Sequence, residues 1–368
     1  MSLEKGQISH FQLLLAVGGF IIGAVVSPDY AVVITKQNTW IVTVSGFMVG
    51  LLFIWFYVKI ALYFPGQNMV QLWQTIFGTW PGRAISFYYL FYFLLIVFAN
   101  LREVINAINT YFLPETPMLA VLVPLILILA QAVSKGIEVI VRMLFLTLSL
   151  FLLTFIGVFI LLIPQLDFTN LQPLFDFSLL DFLQGTHIVS AIQFGEVLLF
   201  LMILPYTKEV TKTTKPVLAG TFIGFLFLIL TAVRNQAVLG NLSQYVVFST
   251  FEVVRLIDIA EVFTRMELLV VISFITLMFF RIGVLYYASS LGLAQLFNLR
   301  SYRSIILPLG IVIAFYTVII YDYNFDLGFV GTYIWPQVTV PFQILIPIAA
   351  YITIKIRKLP QGQGGKKK

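Results

Sequence analysis

The stretch from 188 to 205, IVSAIQFGEVLLFLMILP, places a carboxylate near the middle of an apolar run long enough to cross a bilayer. A charge at that depth is costly unless it is paired, protonated or faces a wet cavity, so Glu196 indicates a functional site. Gly195 weakens the helix at the same point, as expected where freed backbone groups line a binding cavity. We therefore predict that Gln193, Phe194, Gly195 and Glu196 bind a ligand. The alternative is a kinked helix whose glutamate bonds to a neighbouring helix for structural reasons.

A second breakable segment, FQLLLAVGGFIIGAVVSP, lies near the start of the chain. Gly18, Gly19 and Gly23 weaken its helix in the middle, and Pro28 is expected to stop it at its outer end. Backbone N–H groups freed there can hold a carboxylate, helped by the positive end of a helix. The three glycines therefore join the predicted ligand-binding residues. The alternative is close helix packing through small residues, which membrane helices use often.

The third apolar segment carries several polar residues in its outer half. Arg102 and Asn106 are four residues apart and share a helix face, whereas Glu103 is turned away by about 100°. We therefore expect Arg102 to pair with a residue of another helix or with an anionic group of a ligand. Asn100 and Arg102 complete the predicted ligand-binding set.

The composition places the chain in a membrane. Of its 368 residues 60% are hydrophobic and 10% are charged, against roughly 25% charged in soluble domains. It has no cysteine and two histidines far apart in sequence, so it offers neither a thiolate site nor a histidine cluster for a metal. It also lacks the phosphate-binding and dinucleotide-binding loops and the HExxH motif. We expect no enzymatic activity, no cofactor and no nucleic-acid partner.

Apolar segments of spanning length recur along the whole chain. Ten can be counted, at 10–28, 40–63, 84–112, 117–134, 137–163, 187–206, 217–239, 266–290, 304–321 and 333–354. They predict a single all-α transmembrane domain of ten helices with a basic tail at 355–368. If the ten helices form two halves of five, the halves are 1–163 and 164–354, and the resemblance described below implies that they are inverted repeats. The interrupted first and sixth segments open the two halves, which is the pattern that indicates a substrate site in inverted-repeat transporters.

The basic residues predict the orientation. With the N-terminus inside, the inner loops and tails hold most of the lysines and arginines, whereas the outer connections keep mainly Lys36, Arg234 and Arg255. By the positive-inside rule both termini are cytoplasmic. The basic inner loop YTKEVTKTTKP suits the anionic headgroups of the lipid membrane.

Several short stretches together resemble the B subunit of spore germinant receptors, in the spore germination permease family. They are the glycine helix ending at Pro28, Trp40, Arg102 followed by LPETP, KGIEVIVR, FGEVLLFLMILPY and FTRMELL, spread over nearly the whole chain. The family is similar to amino acid/polyamine/organocation transporters, which implies ten helices with the first and sixth unwound around an amino-acid-like ligand. It also implies partner A and C subunits and a place in the spore inner membrane. Many relatives have an acid before Trp40, where this chain has KQNTW, and some have an acid at the position of Asn106, so the identity of the ligand does not transfer.

These observations favour a subunit that senses a small nutrient, an amino acid, between the broken helices and triggers germination. The alternative is a secondary transporter that moves an amino acid or amine with protons carried by Glu196. A membrane scaffold with a vestigial site is a third possibility. Under the first hypothesis, Glu196→Gln should abolish the ligand response and leave folding largely intact.

Overall fold

The fold was obtained as a computed structural model, which describes residues 6–24, 28–246, 248–257, 266–320 and 328–359. Within these ranges the chain is helical, apart from one isolated pairing of Ile8 with Thr207. Its α-helices are α1 (His10–Gly23), α2 (Pro28–Thr35), α3 (Thr39–Tyr63), α4 (Met69–Phe77), α5 (Thr79–Tyr111), α6 (Met118–Ser134), α7 (Ile137–Leu162), α8 (Leu179–Val189), α9 (Thr214–Leu239), α10 (Ser249–Arg255), α11 (Met266–Leu296), α12 (Arg303–Ile319), α13 (Trp335–Val340) and α14 (Ile346–Ile356).

Many of these helices are suited to a bilayer. In the described part of the chain, seven helical stretches of 24 to 36 residues are long and apolar enough to span one. Three shorter apolar helices, α1, α6 and α12, accompany them. The protein is therefore a multi-pass membrane protein. Long helices cross here because all their backbone groups bond internally, so none is left unpaired in lipid.

The first predicted segment is divided into two helices. Helix α1 ends at Gly23 and α2 begins at Pro28. The first helix ends before Pro28, as expected, and the proline also opens the next helix. At the first helical position the missing N–H has no bond to lose and the fixed φ suits the helix.

The sixth predicted segment changes its winding at the expected place. After α8 the chain makes a π-helical turn over Ser190–Phe194 and then a 3-10 helix over Gly195–Met202. The Gly195 N–H bonds to the Ser190 carbonyl, five residues back. The Ala191 carbonyl accepts a 2.9 Å bond from the Gln343 side chain. A side chain at Gly195 would overlap Gln343, so this glycine lets the helical segment that contains Gln343, between α13 and α14, pack closely against the 3-10 helix.

Close approaches through glycine also hold the other central helices together. A Cβ at Gly18 would lie 3.2 Å from the carbonyl oxygen of Gly220, where α1 packs on α9. A Cβ at Gly50 of α3 would overlap Phe194 in the π-helical turn. Helix α11 packs against α5, α7 and α1 and runs through the middle of the bundle. The interrupted segments are thus surrounded by other helices.

A candidate ligand-binding site around a buried ion pair

Glu196 is paired with an arginine of α11. Its Oε2 forms an ion pair with Nη2 of Arg281, and each side chain is 2% exposed. Its Oε1 accepts a 3.2 Å hydrogen bond from Nε1 of Trp335 in the C-terminal segment. Both carboxylate oxygens therefore have partners, which offsets the cost of burying the charge.

The same arginine is bound to the broken first segment. Its Nη1 donates a 2.6 Å hydrogen bond to the Phe20 carbonyl, and its guanidinium carbon lies 4.2 Å from the centre of the Phe20 ring. The carbonyl is available because α1 ends three residues later. The Ala24 N–H, its partner in a continuing helix, bonds to Ile21 instead. Arg281 thus joins α1, α11 and the 3-10 helix that carries Glu196.

Gly23 makes room for the arginine. A Cβ at this position would lie 3.3 Å from Cδ and 3.4 Å from Cβ of Arg281. That is tighter than ordinary van der Waals contact, so a larger residue would press on the side chain that holds Glu196. The glycine is required here for close packing.

A cavity lies beside the ion pair. The space inside it is about 490 Å³ when the open solvent at its mouth is counted. Its polar and aromatic lining comes from five helical segments and consists of Tyr30, Asn100, Glu103, Glu196, Arg281 and Trp335. Apolar side chains such as Ile96 and Ile192 form the rest of the wall.

The cavity contains a second carboxylate. Glu103 is 7% exposed, and its Oε1 accepts a 2.8 Å hydrogen bond from the Tyr30 hydroxyl. Among the described residues no basic group lies within 4.0 Å of it. Asn100, one turn away on α5, has a buried Nδ2 without a hydrogen-bond partner. Two carboxylates, one guanidinium and an unused amide donor suit a ligand that carries both a positive and a negative group.

The structure separates the residues predicted on the first segment and on α5. Gly23 lies against Arg281, whereas Gly18 packs on α9 and Gly19 on Leu144 of α7. All three lie inside α1, where their N–H groups have helical partners. Asn100 lines the cavity, but Arg102 does not, and its Nη1 lies 3.3 Å from the Met118 sulfur.

The four residues predicted around Glu196 are also separated. Glu196 lines the cavity. Phe194 packs on α3 beside Gly50, and Gly195 lies against Gln343. Gln193 is fully buried, and both polar atoms of its amide lack hydrogen-bond partners. It is not in the cavity lining.

Sequence reasoning missed four residues of the lining. Arg281 lies inside the eighth apolar segment, in LMFFRIGV, so the rule that identifies Glu196 applies to it as well. Glu103 was considered but left out of the predicted set, because the helix turns it about 100° away from Arg102. Tyr30 and Trp335 carry no comparable signal, because aromatic residues are common at the ends of membrane helices.

Comparisons with known proteins agree over most of the chain. The family model described as "Spore germination protein" matches residues 7–326. Spore germination protein KB of Bacillus subtilis (strain 168) is 26% identical, and the match covers 99% of this chain and 100% of that protein. The putative spore germination protein YfkT of the same organism is also 26% identical, over 88% of this chain and 89% of its own length.

Solved structures show the fold. A manganese transporter from Eremococcus coleocola superposes with a TM-score of 0.53 at 13% identity, covering 94% of this chain and 83% of its own. Mhp1 is a nucleobase-cation-symport-1 family transporter, solved in a closed conformation with bromovinylhydantoin bound. It superposes with a TM-score of 0.52 at 13% identity, and the match covers 96% of this chain and 92% of Mhp1. The chain therefore has the fold of LeuT-type transporters.

Proposed function

The chain belongs to the spore germination protein family, and on this premise we propose that it is the nutrient-sensing subunit of a spore germination receptor. A small amino-acid-like ligand binds in the cavity beside Glu196 and Arg281 and triggers germination. The observation that carries the proposal is the buried ion pair, which joins the interrupted first and sixth segments beside a cavity with polar and charged lining. Intramembrane charges in such positions mark ligand and ion sites.

The binding mode follows from the charges. The ligand's ammonium group lies between Glu103 and Glu196, and the ligand's carboxylate forms an ion pair with the guanidinium of Arg281. Asn100 Nδ2, which is buried without a partner, donates a further hydrogen bond. The ligand replaces the internal ion pair, so neither protein charge is left without a counter-charge. This conformation, in which the pair is closed, is the unliganded state, and the ligand signals because it binds the open state more tightly.

The proposal includes the architecture and the setting. We infer ten spans arranged as two inverted halves, 1–163 and 164–354, and the seven long and three shorter apolar helices of the described chain support that number. The bias of the basic residues supports cytoplasmic termini. The family supports a spore inner membrane location and A and C subunits that receive the signal.

A proton-coupled amino acid or amine transporter is the second candidate. The observation that favours it is Glu103, a buried carboxylate without an ion-pair partner in the described chain, in the same cavity as Glu196. Two neighbouring acids can exchange a proton for an ammonium group. The test is uptake of labelled amino acid into liposomes that contain only the purified chain. A transporter gives uptake at a rate that rises with an imposed pH gradient. A sensor binds without uptake.

The deciding experiment measures the thermal stability of the purified chain against a panel of amino acids, sugars and nucleosides. A ligand at a hundred times its Kd stabilises the native state by about 2.7 kcal/mol. The double variant Glu196→Gln/Arg281→Gln should lose this stabilisation. Glu138→Gln, which alters an exposed glutamate–arginine pair, should keep it. An unchanged shift in the double variant would refute the site, and no shift with any compound would favour a scaffold or a site completed by partner subunits.

A further inference from the structure

A second cavity lies between α7, α9, α10 and α11 and shares no lining residue with the first. Its volume is about 420 Å³ including its opening. Its lining includes four aromatic side chains, Phe151, Phe155, Phe251 and Phe274. The hydroxyls of Thr154 and Ser273 bond to each other across it at 2.9 Å. The cavity therefore has an apolar interior with a few polar groups.

One charged side chain, Arg234, lines this cavity among the described residues. It is 3% exposed. Its Nε and Nη2 donate to Oδ1 of Asn235 at 3.1 and 2.7 Å, and Nη2 lies 3.4 Å from the Thr250 hydroxyl. Its guanidinium carbon is 5.8 Å from the centre of the Phe155 ring. All these partners are neutral.

The charge of Arg234 has no direct counter-charge. In the described ranges no carboxylate oxygen lies within 4.0 Å of its guanidinium. Asp29 is near enough to interact electrostatically, but its Oδ2 accepts a 3.1 Å bond from the Ser249 N–H. Arg281, equally buried, does have a contacting carboxylate. Buried arginines in membrane helices normally pair, so the unpaired one at an aromatic cavity suits an anion supplied from outside the chain.

Exposed apolar side chains of the described helices flank the cavity along the chain. Leu153, Leu230 and Leu269 each stand next in sequence to a lining residue, and they are 74%, 44% and 47% exposed. A molecule already dissolved in the bilayer is therefore close to the site. The combination of a buried cation, aromatic walls and an apolar surround selects an amphiphile over a hydrophilic ion.

We propose that this cavity binds a medium-chain fatty carboxylate, with the carboxylate on Arg234 and the alkyl chain between the phenylalanines. Carboxylate and guanidinium match geometrically, because two parallel N–H···O bonds can form. The site is separate from the cavity beside Glu196. Two of its lining residues, Ser273 and Phe274, lie on α11, the helix that also carries Arg281.

The test uses the full chain in nanodiscs of neutral phosphatidylcholine, with radiolabelled decanoate in equilibrium dialysis. We expect saturable binding that decanol does not displace. Arg234→Gln should weaken it by at least about tenfold, the effect of roughly 1.4 kcal/mol, and Arg234→Lys should retain part of it. Arg255→Gln, an exposed arginine on α10, is the matched control and should bind normally. A decanoate with a terminal diazirine should cross-link to peptides of α7, α9, α10 or α11.

A cavity-filling variant keeps the proposal testable if Arg234→Gln does not fold. Ser273→Leu fills the cavity without touching the guanidinium and should abolish decanoate binding. Normal binding in Ser273→Leu or Arg234→Gln, displacement by decanol, or cross-links in other helices would each overturn the proposal. Tighter competition by phosphatidylglycerol would replace the fatty acid with an anionic phospholipid headgroup as the occupant. The Glu196→Gln/Arg281→Gln variant should bind decanoate normally. Loss of decanoate binding can therefore be distinguished from loss of ligand binding in the cavity beside Glu196.

Discussion

Breaking one side of the Glu196–Arg281 pair should destabilise the protein more than removing both sides. Glu196→Gln removes the carboxylate that contacts the buried guanidinium, which keeps its described contacts with the Phe20 carbonyl and ring. The loss of one partner of a buried pair costs about 3–5 kcal/mol, because the remaining charge is uncompensated. Glu196→Gln/Arg281→Gln leaves no charge, and the new side chains can bond to each other and to Trp335. Its free energy of unfolding should return to within about 1 kcal/mol of the parent.

The assay is a double-mutant cycle by unfolding in mixed detergent and SDS micelles. The expected coupling energy is at least about 3 kcal/mol. The exposed pair Glu138–Arg142, at 39% and 67% exposure, provides the reference cycle. As an exposed pair four residues apart on a helix it should give about 0.3–0.5 kcal/mol.

A coupling energy near that of the exposed pair would refute the reasoning. It would mean that water reaches Glu196 and Arg281 and that neither charge is truly buried. The expected cost also corrects the first expectation for Glu196→Gln, which assumed that folding stays largely intact. Only the double variant separates the loss of ligand response from the loss of stability.

Two further predictions concern packing and the second contact of Glu196. Gly50→Ala should lower the free energy of unfolding by about 1–3 kcal/mol, because its Cβ would overlap Phe194. Gly157→Ala is the control: its Cβ would meet nothing within 4 Å, so the change should be neutral or stabilising by up to about 1 kcal/mol. Equal effects of the two substitutions in the same SDS assay would contradict the contact between Gly50 and Phe194. Trp335→Phe keeps an aromatic ring but removes the hydrogen bond to Glu196, and should cost about 1 kcal/mol of stability and change the affinity of the ligand in the first cavity. Unchanged stability and affinity would show that the indole N–H contributes nothing.

The interruption of the sixth segment was predictable because its cause is local. Gly195 and Glu196 are adjacent in an apolar run, and both the poor helix propensity and the cost of the charge can be read from that run alone. The winding does change there. The partner was not predictable in the same way. Arg281 is 85 residues away along the chain, and nothing in either segment specifies which helices meet.

The face of α5 shows the limit of periodicity. Spacing correctly places Arg102 and Glu103 about 100° apart on a helix. It does not give the rotation of that helix in the bundle, which is set by its packing against α11. The structure turns Glu103 into the cavity and Arg102 towards Met118. Glu103 is the better candidate for the ligand ammonium for that reason.

For the proposed sensor, the ion pair supplies an energy of the size that a switch between two states requires. Shifting a two-state equilibrium from 1:99 to 99:1 needs a difference in binding free energy of about 5.5 kcal/mol. Opening the Glu196–Arg281 pair without a ligand costs about 3–5 kcal/mol, which is of the same order. A zwitterion that supplies both counter-charges removes that cost. Because Arg281 also holds the Phe20 carbonyl at the end of α1, exchanging its partner releases the first and sixth segments together. Sensing then requires the opening step of a transport cycle without the passage of a solute.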